Sequence, residues 1–121
     1  MEVWTLEAKE KVFCFAQTLN DKKASDIEAL DISKLTIIAD YFLIASAQNQ
    51  LQAQALSDAL CDKAAELGEE LLRIEGLREG NWVLLDFGNV VVHIFKKDIR
   101  DFYGLERLWA DAERLELNFE E

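Results

Sequence analysis

Gly88-Asn89 stands between two runs of strand-forming residues, 82–87 and 90–96, and no other feature constrains the fold as tightly. A glycine in the first central position suits a tight two-residue hairpin turn of the II′ kind. Such a turn fixes the register by counting. Phe87 falls opposite Val90, Asp86 opposite Val91, Leu85 opposite Val92, Leu84 opposite His93, Val83 opposite Ile94 and Trp82 opposite Phe95. Side chains alternate across a strand, so these pairs sort into two faces. One face collects Val83, Leu85, Phe87, Val90, Val92 and Ile94. It is wholly apolar and must be core. The other collects Trp82, Leu84, Asp86, Val91, His93 and Phe95. Large aromatics there lie beside one acid and the single histidine of the chain. Such a face is either half-covered sheet or a docking surface.

The length of 121 residues predicts one domain spanning 1–121. Half of the residues are hydrophobic, enough to bury a core without metals or disulfides. No apolar run is long enough for a membrane span, and the first residues, Met1-Glu2-Val3-Trp4, do not resemble a signal peptide. The expected location is cytoplasmic. Cys14 and Cys61 fall within helical patterns and read as buried small hydrophobes in a reducing compartment. Against 24 acids stand 13 bases, a net charge of −11. Nucleic-acid affinity rests on clustered Lys and Arg, and here the basic clusters are the dipeptides Lys22-Lys23 and Lys96-Lys97. Stand-alone nucleic-acid binding is therefore not expected. An acidic domain more readily meets a basic partner.

The periodicity predicts a helix over 5–20, with Thr5 as N-cap. An edge-type strand is expected over 24–30 and a central strand over 41–45. A second helix should run from the N-cap Asn49 to about Leu67, with Gly68 as its C-cap. A third strand over 71–74, a loop over 75–80 and the hairpin follow. Residues 97–103 read as irregular or a short turn, and 105–115 as a last helix. Residues 114–121 form an acidic tail, ragged from Leu117 on. The order α-β-β-α-β-β-β-α describes an α/β domain with a mixed five-stranded sheet and helices packed on it. A right-handed parallel crossover should link the second and third strands through the helix between them.

Catalytic readings find little support. Asp86 lies one diagonal step from His93, close enough in register for a hydrogen bond, but no motif ties a nucleophilic Ser or Cys to the pair. Asp40, Asp86 and Asp98 are scattered acids rather than a magnesium site, and neither catalytic nor metal or cofactor residues are assigned. Asp86-Phe87-Gly88 matches the letters of a kinase magnesium motif, yet no glycine-rich or catalytic loop accompanies it. In 100–109, Phe102 and Trp109 read as packing residues. Tyr103 suits either the core or a partner surface, because its phenol tolerates a partly wet site.

These residues resemble the ribosomal silencing factor family, also called the Iojap family. The resemblance covers 24–112. It rests on Lys23-Ala24-x-Asp26-Ile27-x-x-Leu30-Asp31, Leu35-Thr36, Asp40-Tyr41-Phe42 and Glu75-Gly76. It continues through Trp82-Val83-Leu84-Leu85-Asp86-Phe87-Gly88 and Val90-Val91-Val92-His93-Ile94-Phe95. Arg100-x-Phe102-Tyr103-x-Leu105-Glu106 and Leu108-Trp109-x-Asp111-Ala112 complete it. The chain departs from the usual Thr-Gly-x-Ser-x-Arg-Gln run, reading Ser46-Ala47-Gln48-Asn49-Gln50-Leu51-Gln52. Ala47 in place of Gly requires a negative φ or mild strain. Leu51 in place of Arg removes any partner contact by that Arg. Phe87 stands where Tyr is common, and Asn89 where Asp is.

The resemblance implies a fold of nucleotidyltransferase-like outline and a binding function. Family members bind the large ribosomal subunit through its protein L-fourteen and block joining of the small subunit, lowering translation when nutrients are scarce. No chemical step is implied, and the transferase Gly-Ser and Asp-x-Asp signatures are missing. Trp82, Asp86, His93, Phe95 and Tyr103 are the expected contacts with the ribosomal protein. The competing readings are a nucleotidyltransferase-related enzyme and a structural homo-oligomer such as a homodimer.

Overall fold

The computed structural model describes residues 7–104, 107 and 110–120, and of 101–103 the backbone. Its elements are α1 (Ala8–Asp21), β1 (Ser25–Asp31), β2 (Tyr41–Ala47), α2 (Gln50–Glu66), β3 (Arg73–Glu75), β4 (Trp82–Asp86), β5 (Val90–Lys96), α3 (Lys97–Tyr103) and β6 (Glu113–Leu115). Six strands form one mixed sheet in the order β3-β4-β5-β2-β1-β6. The expectation of five strands missed β6.

The hairpin has the register that the turn demands, from Trp82 opposite Phe95 to Asp86 opposite Val91. Phe87 N–H closes it by donating to the Val90 carbonyl at 2.9 Å, and Gly88 takes φ +90°. The apolar face is buried throughout, Val83, Leu85, Val90, Val92 and Ile94 completely and Phe87 at 5 % exposure. α1 and α2 cover this face. α1 contributes Val12, Phe15, Ala16 and Leu19, and α2 contributes Ala53, Leu56 and Leu60. Phe15 and Phe87 meet with ring centroids 4.7 Å apart.

β2 runs parallel to β5 and antiparallel to β1. The crossover through α2 does join parallel strands, since β3 is antiparallel to β4 and β4 to β5. However, β3 lies at the sheet edge, two strands beyond the neighbour of β2. α2 begins as expected, with the Asn49 side chain accepting from Gln52 N–H at 2.8 Å. It closes at Gly68, φ +73°. Ala47 keeps a negative φ. Among the described residues, the non-glycine ones with positive φ are Lys23 and Asp26.

Four local expectations change. α1 starts at Ala8, after Glu7 without a side-chain cap; Thr5 lies outside the described residues. β1 is not an edge strand, because β6 pairs with it antiparallel, Ala29 opposite Leu115. Residues 97–103 are helical, and α3 ends at Gly104 in the left-handed conformation. Residues 113–115 are strand rather than the end of a helix. Beyond β6 the tail folds back over α1. Gln17 donates to the Glu120 carbonyl and accepts from its N–H, both at 3.0 Å, and Leu117 and Phe119 pack against the main core.

Val92 is fully buried at the centre of this core. A carboxylate there has no partner, and its desolvation should cost more than about 3 kcal/mol. Val92→Asp should therefore be unfolded or melt far below the parent in a thermal scan. An unshifted melting curve would contradict the register.

Candidate functional site

The second face of the sheet is not an open surface. β5 alternates Val91, His93 and Phe95 onto it, exposed by 6 %, 4 % and 0 %. Phe42 and Ile44 of β2, Leu30 of β1, and Ile32 and Ala39 of the following loop complete a second apolar cluster. Trp82, Leu84 and Ile99 pack on it half-buried. This burial corrects the picture of a docking surface made of the whole mixed face. Phe95 and His93 lie beneath, while Trp82 and Asp86 keep part of their surface in solvent.

The aromatic residues form a stack ordered by the register. Trp82 and Phe95 are opposite in the ladder, and their rings stack with centroids 4.9 Å apart. His93 lies one step along β5 on the same side. Its ring and that of Phe42 meet in a T-shaped arrangement, centroids 4.8 Å apart. The indole Nε1–H of Trp82 donates to His93 Nδ1 at 3.1 Å. An accepting Nδ1 places the imidazole proton on Nε2, which is buried without a hydrogen-bond partner. Burial pushes the His93 pKa down to about 4, so the ring is neutral at physiological pH.

Asp86 turns away from His93. Its Oδ1 accepts from Gly88 N–H at 2.8 Å, bracing the hairpin turn, and Arg73 approaches the other oxygen at 4.0 Å. The Asp–His pair that a hydrolytic reading needs is thus not formed. Asp86 ends β4 and Gly88 makes the hairpin turn, as the sequence indicated. Among the described residues, no three His, Cys, Asp or Glu side chains converge as metal ligands, and Cys14 and Cys61 are free. The side chain of Tyr103 lies outside the described residues.

Two positioning groups escaped the sequence reading. Gly76, φ +79°, lies so close to the start of β4 that a Cβ would overlap the Trp82 carbonyl. Arg100 of α3 is buried and reaches across the sheet. It donates to the Asp26 carbonyl and, at 2.8 Å, to Ser46 Oγ, and pairs with Glu28 at 3.4 Å. Asp26, φ +50°, lies where the register of β1 shifts. The guanidinium therefore satisfies a carbonyl turned out of the ladder by a bulge and ties α3 to both strands. Arg100 and Gly76 both stood in matched motifs, which was the available signal, but their long-range contacts are not local in sequence.

Residues 5–121 match the family model described as ribosomal silencing factor during starvation. The chain belongs to the ribosomal silencing factor family. It is 45% identical over 104 residues to the ribosomal silencing factor RsfS of Bacillus subtilis, covering 86% of this chain and 88% of the relative. A crystal structure of a Chromobacterium violaceum protein matches with TM-score 0.85 at 36% identity, covering 87% of this chain and 88% of that one. A Bacillus halodurans structure matches with TM-score 0.80 at 38% identity, covering 90% and 99%.

The depressed pKa of His93 has a sign that can be tested. Between about pH 6.5 and 4 the unfolded chain binds a proton that the folded chain refuses, so stability falls with pH across that window. The full effect approaches about 3 kcal/mol, with carboxylate protonation adding below pH 5. Denaturant titrations at pH 7.5, 6 and 5 should show this loss, and His93→Phe should flatten it between pH 6.5 and 5. An unchanged slope in His93→Phe would place the proton uptake elsewhere.

Proposed function

We propose that this chain represses translation by binding the large ribosomal subunit through its protein L-fourteen and sterically blocking the joining of the small subunit. The family assignment supports the ribosomal role, since a relative 45% identical is named a ribosomal silencing factor. The observation that carries the site is Trp82, a half-buried indole held by a stacked ring below and a hydrogen bond to a neutral imidazole. A rigid aromatic with one side left in solvent fits an interface anchor, because little side-chain entropy remains to be lost on binding. In this reading Trp82, Asp86 and Tyr103 meet the ribosomal protein. Phe95 and His93 act from beneath by fixing the indole. The action is occupation of a surface, without a chemical step, in the cytoplasm.

Isolated large subunits provide the test. Wild-type chain should co-sediment with them and reduce their joining to small subunits. Trp82→Ala should weaken binding by about 1–2 kcal/mol or more, roughly a five- to thirtyfold loss or greater. It also leaves His93 Nδ1 unpaired, so some melting temperature is lost, but the domain should stay folded because the main core lies on the other face. Binding equal to wild type would remove Trp82 from the interface.

Charge gives a second expected outcome. A chain of net charge −11 should approach a basic ribosomal protein faster at low salt. Neighbouring RNA phosphates oppose that gain, so the slope should be shallower than for a protein making many phosphate contacts. Association rates measured between low and physiological salt check this. A rate that climbs with salt would show repulsion by RNA to dominate.

A further inference from the structure

The loop between β1 and β2 holds three aliphatic side chains out in water. Leu35 is 46% exposed, Ile38 69%, and Ile37 completely. The loop is nonetheless anchored. Ile32 and Ala39, at its two feet, are buried in the same second-face cluster on which Trp82 packs. Ile32 N–H donates to the Asp40 carbonyl at 2.9 Å. Asp40 and Tyr41 N–H both donate to the Asn89 carbonyl in the hairpin turn, at 2.9 and 3.0 Å. Within the loop, Leu35 and Thr36 N–H bond the Ile32 carbonyl, and Thr36 Oγ1 accepts from Ile38 N–H. The crest is thus pinned to the sheet rather than folded inward. Isolated exposed aliphatics need no explanation, but three within four residues make a patch.

The rim of that patch is acidic. A cavity of about 290 Å³ beside Leu35 is lined by Asp31, Asp111 and Glu113 against the single ammonium of Lys34. Asp31 is fixed in place by Ser33, whose Oγ and N–H donate to one carboxylate oxygen at 2.6 and 3.0 Å.

We propose that the Leu35–Ile38 crest and its acidic rim dock an apolar side chain flanked by Lys or Arg on the same large-subunit protein that Trp82 meets. This rests on the function proposed above and extends its surface from the indole to the far end of the second face. Charge selects the occupant. A second copy would bring one acidic rim against another in a chain already at −11, and RNA would bring phosphates to the same carboxylates. A basic protein alone matches both the apolar crest and its rim. The crest stands at the Val90 end of the second face and Trp82 at the Phe95 end, so a partner face that meets both must run the length of β5.

The experiment compares four full-length chains for binding to isolated large subunits: wild type, the double variant Ile37→Ser with Ile38→Ser, the double variant Asp111→Asn with Glu113→Gln, and Trp82→Ala. The crest variant should lose about tenfold or more in affinity, as for an interface anchor, with an unchanged melting temperature because both side chains are in solvent. The rim variant should lose about threefold at low salt and show a flatter salt dependence. Wild-type binding by the crest variant beside weakened Trp82→Ala would overturn this inference and leave the proposed function standing. Failure of wild type to bind would overturn both. Sedimentation velocity supplies the remaining arm. A wild-type dimer that the crest variant converts to monomer would make the occupant a second copy and overturn the proposal.

Discussion

β5 is buried on both faces, and most of the architecture follows from that. Val90, Val92 and Ile94 project one way, Val91, His93 and Phe95 the other, and all six are buried. A strand of this kind needs a central place in the sheet and a cover on each side. The hairpin with β4 supplies one neighbour and the parallel pairing with β2 the other. α1 and α2 roof the first face with a contiguous aliphatic layer. The second face is covered by smaller pieces: α3 and Trp82 at the Phe95 end of β5, and the feet of the β1–β2 loop at the Val90 end. Because this second cover is partial, it is the side where side chains remain at the boundary between core and solvent.

Polar groups trapped by that arrangement are satisfied in ways that bind distant segments together. Arg100 carries a full charge into the edge of the second layer and meets a carbonyl, a hydroxyl and a carboxylate there. Glu28 is shared with Arg114 of β6 at 2.7 Å, so the last strand is tied to the same network. On the other side of the sheet, Lys11 of α1 pairs with Glu69 after α2 at 3.0 Å, with both side chains largely out of water. Pairs like these add little net stability over an apolar substitute, but removing one partner leaves a stranded charge. They fix which segments lie together more than they strengthen the fold.

The parts legible in the sequence are those decided within a few residues. The hairpin register followed from one glycine and counting. The start of α2 followed from Asn49, whose carboxamide can reach the third N–H of the helix. β6 was not legible because Glu113-Arg114-Leu115 carries no alternation that demands a strand, and its pairing with β1 comes from a segment more than eighty residues away. α3 is seven residues long and lacks a side-chain cap, so its helix depends on the sheet beneath it. The mixed face was read correctly as distinct from the main core, but its degree of burial was not. Alternation assigns a side chain to a face; it does not say what lies on that face. His93 shows the difference, because its neutral state depends on its burial, to which Phe42 of β2 contributes from across the ladder.

That burial bears on what the histidine can do. A catalytic imidazole needs access to substrate and a pKa near the working pH. His93 has a pKa near 4, an indole donor on Nδ1 and a buried Nε2. The ring acts instead as a fixed acceptor that sets the angle of Trp82. Protonation would turn Nδ1 from acceptor to donor and break that bond, so the low pKa keeps the indole in one orientation over the whole physiological range. A neutral, desolvated histidine is thus a means of building a rigid aromatic surface. It holds the indole in one orientation as pH changes, and leaves one unpaired N–H below it.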